Sequence, residues 1–282
     1  MKEKMKEKGN SLTPQEISER LYRYDSISKT YAGVGELGEK EWREYKEAGY
    51  LAVEGVLGQQ EIQDAIEAIM SMIFSDTKGA SIQFTKPSSE LKSNEERELA
   101  VRKVHQFAER DDRLRHVAYH PDILHAVESI LGEKPKLVQD MALLKPPHGG
   151  GEKPWHQDMA YGNLAYNKPV VGVWIALDEA ALDNGCMHVL PGSHADGGTP
   201  HYAVRDWQLC DTHVAVEKDV AVPLQPGGLL LFHGLLKHGT PYNLSPKRRR
   251  ALQFHYVAES AQKLSPQEYK RTFTNEMSGA EC

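Results

Sequence analysis

The most chemically suggestive stretch of this chain is Trp155-His156-Gln157-Asp158. His156 and Asp158 are two positions apart, so in extended backbone their side chains leave on one side while Gln157 leaves on the other. An imidazole and a carboxylate together suit a divalent metal of borderline hardness, but two ligands are too few. A second stretch, Phe232-His233-Gly234-Leu235-Leu236-Lys237-His238-Gly239-Thr240, brings two more histidines directly after an apolar run. Two histidines and one carboxylate on one face of a metal leave three open positions, which can accept a chelating oxoacid and then dioxygen. With 13 histidines in 282 residues, a His-x-Asp tripeptide arises by chance fairly often, so its companions carry the weight.

The strongest companion is the run Arg249-Arg250-Ala251-Leu252-Gln253-Phe254-His255-Tyr256. Read as a strand, Arg250, Leu252, Phe254 and Tyr256 form a mostly apolar face suited to packing. Arg249, Ala251, Gln253 and His255 form a face suited to a polar lumen. A buried guanidinium on that second face needs an anion, and its fork matches a carboxylate in two hydrogen bonds. This predicts a dicarboxylate cosubstrate with one end on the metal and the other on Arg249. Arg250 is the alternative if the register slips by one.

The elements that must hold these groups fall into two sections. Thr13-Pro14-Gln15-Glu16 starts a short helix expected to run to Tyr24, and 40–48 and 59–74 read as further helices. In the last of these Ile62, Ala65, Ile66, Ile69 and Met70 fall at helical spacing. Residues 111–117 and 121–131 complete the helical section at about 11–132, while 75–100 lacks periodicity and reads as a loop. From about 136 to 258, short apolar runs alternate with turn signals such as Asp183-Asn184-Gly185 and Pro226-Gly227-Gly228. The strands expected are 137–144, 169–177, 187–190, 220–224, 229–232 and 249–257. The pattern fits a mainly β jelly roll with helices outside it, in a single domain spanning 11–282 after a frayed start at 1–10.

The sequence also resembles the phytanoyl-CoA dioxygenase family of Fe(II)/2-oxoglutarate oxygenases over about residues 42–257. The matching motifs are Lys103-Val104-His105-Gln106-Phe107, Leu143-Leu144-Lys145-Pro146-Pro147, His156-Gln157-Asp158, Val173-Trp174-Ile175-Ala176-Leu177, Asn184-Gly185-Cys186, Leu190-Pro191-Gly192-Ser193-His194, His238-Gly239-Thr240 and Arg249. The resemblance implies a cupin-like double-stranded β-helix with N-terminal helices on the outside of the major sheet. It implies His156, Asp158 and His238 as iron ligands and catalytic centre, which leaves His233 structural. It implies Arg249 as the clamp on 2-oxoglutarate with the Thr240 hydroxyl beside it, and Lys103, Met141, Gln157 and Trp174 along the cosubstrate pocket. Lys103 is then a partner for the carboxylate nearest the metal, and Gln157 reaches the pocket only through a bend in the chain. Because Asp158 is present, hydroxylation of an unactivated C–H bond with release of succinate and CO2 is implied rather than halogenation.

Composition narrows the partners. Lys plus Arg is 34 against 40 Asp plus Glu, a net charge of −6, which argues against nucleic acid as a partner. No long uncharged apolar stretch and no apolar leader are visible, so no membrane span or signal peptide is expected. Three cysteines without a CxxC pair suit a reducing cytoplasm; Cys186 reads as buried structure, and Cys210 and Cys282 carry no functional signal. The expected partners are dioxygen and a small molecule, namely a natural-product intermediate, an amino-acid-like metabolite or an acyl thioester. Residues 194–219, with Arg205 and Trp207, read as a substrate lid, and 75–100, with Phe84 and Lys86, as the opposite wall. His188, His194, His201, His213 and His255 have no assigned partner. The competing readings are a jelly-roll metal-binding or regulatory protein without turnover, and a cupin-like metalloenzyme that does not use 2-oxoglutarate.

Overall fold

The computed structural model describes residues 12–75, 80–277, 279 and 281–282; the frayed start expected over 1–10 lies outside them. The helices are α1 (Pro14–Leu21), α2 (Glu39–Ala48), α3 (Gln59–Ser75), α4 (Asn94–Ala100), α5 (Asp112–Ala118), α6 (Pro121–Leu131) and α7 (Pro266–Phe273). Local chemistry sets their ends. Thr13 and Glu16 cap each other's backbone at the start of α1, and α2 and α6 stop at Gly49 and Gly132, both left-handed.

The strands are β1 (Thr30–Tyr31), β2 (Tyr50–Val53), β3 (Ser81–Phe84), β4 (Val101–His105), β5 (Pro135–Lys145), β6 (Lys153–His156), β7 (Val170–Ala176), β8 (Met187–Val189), β9 (Tyr202–Ala203), β10 (Trp207–Gln208), β11 (Val220–Val222), β12 (Leu229–His233), β13 (His238–Thr240) and β14 (Arg249–Ala258). The major sheet runs β1-β2-β12-β7-β14-β5-β4-β3 and the minor sheet β11-β8-β13-β6. Together they form the expected jelly roll.

Side-chain alternation sorts residues into layers. Val171, Val173 and Ile175 of β7, Leu229 and Leu231 of β12, and Leu252, Phe254 and Tyr256 of β14 join one apolar cluster with α3, α5 and α6. The opposite positions, Trp174, Leu230, Phe232 and Ala251, meet Met187, Val189, Ala221 and Val222 of the minor sheet. Helices therefore cover the outer face of the major sheet, as expected. Two helices are exceptions: α1, whose Ile17 and Leu21 pack with Trp155 of the minor sheet, and α7, whose Phe273 packs with Met159 and Leu164.

The stretch 75–100 is not a featureless loop. It carries β3 and α4, the latter capped by Ser93 and Glu96. Both are too short to leave a periodic signature. The three-residue β13, the four-residue β6 and α7 also escaped the sequence reading. Among the described residues, no helix is long and apolar enough to cross a membrane.

Candidate metal centre and cosubstrate pocket

Strands β6 and β13 pair antiparallel with His156 directly opposite His238, and the two rings lie 4.2 Å apart. Gln157 keeps an extended backbone, so Asp158, at the start of a 3-10 turn, returns to the side of His156. Gly172 on β7 makes room for the Phe232 ring, which backs His238 at 4.8 Å; a Cβ there would run into that ring.

The tautomers follow from the hydrogen bonds. His156 Nδ1 lies 2.8 Å from Pro154 O, and His238 Nδ1 lies 2.9 Å from Leu236 O. A carbonyl only accepts, so each Nδ1 carries a proton and each Nε2 presents a lone pair. Those nitrogens lie 3.3 Å and 3.6 Å from Asp158 Oδ1. Burial, then the neighbouring His238, pushes His156 down to about 3, so it is neutral near pH 7. Burial alone would raise the Asp158 carboxyl, but imidazoles that carry a proton toward it, those of His238 and His255 first, hold it well below the usual range. Three electron-rich atoms thus converge in a buried place, an arrangement a cation stabilises. Among the described residues this is the one group of three His, Cys, Asp or Glu with ligand atoms so gathered, all within 4.8 Å.

Asp158 is held from behind as well. His255 Nε2 lies 2.7 Å and Gln253 Nε2 3.0 Å from its Oδ2, leaving Oδ1 toward the imidazoles. Both residues lie on the inward face that strand alternation predicts for β14, where the sequence alone offers His255 no partner. The signal available was that alternation itself.

A cavity of about 300 Å³ joins the triad to Arg249, Thr240, Trp174, Met141 and Lys103. The Arg249 guanidinium is buried 5.2 Å from the centre of the Trp174 ring, and its Nε and Nη1 have no hydrogen-bond partner. Burial pushes it down to about 10, so it stays charged at neutral pH. Arg250 faces the other way, in a two-point pair with Asp178 at 2.7 and 2.8 Å, which closes the register-slip alternative. Among the described residues, the Lys103 ammonium has no hydrogen bond or ion pair. Burial, then the like charges of Lys153 and Arg102, pushes it down to about 8.

Gln157 is a correction. Its side chain donates to Gly197 O and Leu235 O at 2.8 and 2.7 Å and accepts from Thr199 N at 2.8 Å, away from the cavity. No bend turns it inward, so its part is to tie loops together. His233 stands apart from the triad, with its ring 5.1 Å from that of His194. Phe84 and Lys86 do not line the cavity; β4 supplies that wall through Arg102, Lys103 and His105. The stretch 194–219 is stitched down by Arg205 on Glu152 at 2.8 Å and by Leu209 N on Trp155 O. His201 accepts from Gln157 N at 3.0 Å, and His188 meets Asp219 at 2.9 Å. Cys210 and Cys282 form a disulfide across 72 residues, leaving Cys186 free and buried. The cysteine pattern therefore no longer argues for a reducing compartment.

Two facing sheets, with two imidazoles and a carboxylate gathered between them, define a jelly-roll protein of the facial-triad type. The description "Phytanoyl-CoA dioxygenase (PhyH)" matches residues 45–251, and the chain belongs to that family. A rat protein, phytanoyl-CoA dioxygenase domain-containing protein 1, is 33% identical over 181 residues, covering 60% of this chain and 61% of that protein. The chain thus matches about three-fifths of the length of that relative. The bovine peroxisomal phytanoyl-CoA dioxygenase is 26% identical over 232 residues, covering 76% of this chain and 66% of its own. Among solved structures, the 2-oxoglutarate-dependent carbocyclase SnoK from nogalamycin biosynthesis superposes with a TM-score of 0.64 at 21% identity, covering 83% of this chain and 88% of that one. EctD from S. alaskensis, solved with 2-oxoglutarate and 5-hydroxyectoine, gives 0.64 at 19% identity, covering 85% and 82%. At such identities these structures speak to the fold alone.

Proposed function

We propose that this chain is an Fe(II)- and 2-oxoglutarate-dependent dioxygenase that hydroxylates an unactivated C–H bond of a small molecule. The observation that carries this reading is the pairing, within one cavity, of three converging lone-pair donors with a buried, unpaired guanidinium. The donor set fits iron, since two neutral imidazoles and one carboxylate leave open positions for a chelating oxoacid. His156, Asp158 and His238 would hold the metal, which with 2-oxoglutarate supplies the oxidising power for C–H hydroxylation, with succinate and CO2 as coproducts.

The chain's own residues do the positioning. Arg249 receives the far carboxylate of 2-oxoglutarate through its free Nε and Nη1, with Thr240 and the Trp174 ring beside it. Lys103 balances the carboxylate nearest the metal, and Met141 fills the wall between them. His255 and Gln253 keep Asp158 ionised and aimed. Leu143, Leu164 and Met187 line the same cavity and exclude water from the reacting carbon. Residues 11–282 act as one unit in this reading, supported by the apolar cluster that α3, α5 and α6 share with the major sheet.

A metal-binding protein without turnover, or a metalloenzyme without an oxoacid, would leave the Arg249 guanidinium buried and unmatched, which is costly. The test is incubation with Fe(II), 2-oxoglutarate and air across a panel of small molecules. The expected result is succinate formed in step with a product one oxygen atom heavier. Absence of succinate under every condition, with iron bound, contradicts the proposal.

A further inference from the structure

The wall of the cavity formed by β4 and β6 carries more positive charge than the metal and 2-oxoglutarate account for. Arg102 Nη2 lies 3.1 Å and Lys153 Nζ 2.8 Å from one oxygen, Oδ2 of Asp206. Asp206 sits in the turn between β9 and β10, and its Oδ1 accepts from Trp207 N at 2.8 Å. Among the described residues, the Lys103 ammonium, next to Arg102, has no hydrogen-bond or ion-pair partner.

The other charges on the lining are committed. Glu152 pairs with Arg205 at 2.8 Å and accepts from the Tyr22 hydroxyl at 3.0 Å. The Lys145 ammonium donates to the carbonyls of Gly151 and Pro241. In the reading proposed above, Asp158 faces the metal, and the two carboxylates of 2-oxoglutarate are met by the metal with Lys103 and by Arg249. Arg102 and Lys153 then share a single carboxylate, and the loaded chamber keeps a net positive charge. Lys103 is pushed down by burial first and then by its two basic neighbours, Lys153 and Arg102. A focused positive field in a partly apolar chamber favours an anionic ligand with an apolar body.

We propose that the substrate carries a carboxylate, that Arg102 and Lys153 receive it beside Asp206, and that its apolar part lies along Leu143 and Leu164. This rests on the reading of the chamber given above. It makes Arg102 and Lys153 determinants of specificity and Asp206 a brake on it, because Asp206 competes for the same two cations.

The experiment uses the full chain loaded with Mn(II) and 2-oxoglutarate, titrated by calorimetry with hexanoate, hexanamide and hexyl phosphate. Hexanoate is expected to bind at least ~10-fold more tightly than hexanamide, as expected for a charge-assisted pair. In R102Q/K153Q that ratio should fall to within about twofold while the affinity for 2-oxoglutarate holds. Asp206→Asn should move the other way and tighten hexanoate several-fold without changing hexanamide. Damage to the fold would weaken both ligands, so the opposite signs of the two variants separate charge from folding. No binding of hexanoate, equal binding of acid and amide, a ratio unchanged in R102Q/K153Q, or tighter binding of hexyl phosphate than of hexanoate each overturns the assignment. Failure of 2-oxoglutarate itself to bind the Mn(II)-loaded protein overturns the dioxygenase reading and this one with it. Normal 2-oxoglutarate binding with equal acid and amide affinities removes only this one.

Discussion

The two ends of the cavity are built on opposite plans. At the triad end each proposed ligand side chain is braced, with both Nδ1 atoms on backbone carbonyls and Asp158 Oδ2 on His255 and Gln253. At the other end the Arg249 guanidinium is equally buried, yet two of its nitrogens have no partner. The Tyr45 hydroxyl is unpaired too, but leaving a neutral group unsatisfied costs far less than leaving a buried charge so. The braced end keeps lone pairs free for a cation, and the unbraced end keeps N–H donors free for an anion. A chelating dicarboxylate completes both, and this links the arrangement of β14 to the chemistry proposed.

Removing one end at a time is the sharpest way to break that comparison. Asp158→Ala deletes the only acidic ligand and leaves His255 and Gln253 facing a void. It is expected to abolish stoichiometric iron, measured by metal analysis after gel filtration, and with it all succinate formation. Iron retained at full occupancy would contradict the triad. Arg249→Leu is expected to weaken 2-oxoglutarate by ~100-fold, roughly the ~3 kcal/mol of a charge-assisted two-point contact, while iron content stays intact. Equal losses of both would mean that the two ends are not separate.

Smaller changes sharpen the picture. His255→Leu should lower iron affinity by ~10–100-fold, the usual cost of losing a brace behind a ligand, and leave the KM for 2-oxoglutarate nearly unchanged once iron saturates. Lys103, pushed down to about 8, is charged below that pH and neutral above it. The apparent KM for 2-oxoglutarate should therefore rise as pH climbs through about 8, and Lys103→Arg, which stays charged, should flatten the rise. A KM flat across that range in the parent protein would remove Lys103 from the cosubstrate contact. Gln157→Leu should act on the fold rather than the chemistry, lowering stability by ~1–3 kcal/mol in thermal unfolding with little change in KM. A KM effect larger than the stability effect would place Gln157 in the cavity after all.

Much of this site was legible because strand alternation is a strict period of two. The separation of Arg249, Gln253 and His255 from Leu252, Phe254 and Tyr256 follows from it, as does the shared side of His156 and Asp158. The same rule placed Gln157 on the far side of the chain. Family resemblance suggested the pocket instead, and the backbone geometry prevailed. What escaped was short or distant. β13 has three residues and β6 four, too few for a pattern to register. The wall contributed by β4 depends on pairing with β5, and the Cys210–Cys282 bridge joins segments 72 residues apart. No local signal records either.

The most direct test is an anaerobic titration of 2-oxoglutarate into the Fe(II)-loaded protein, in parent and Arg249→Leu forms, followed by the visible absorption of the chelate. The parent should saturate at one equivalent, and the variant should retain its iron but require a ~100-fold higher concentration. Identical curves for the two proteins, or no saturable binding to the parent, would contradict the pairing of a cation site with an anion site on which the proposed function stands.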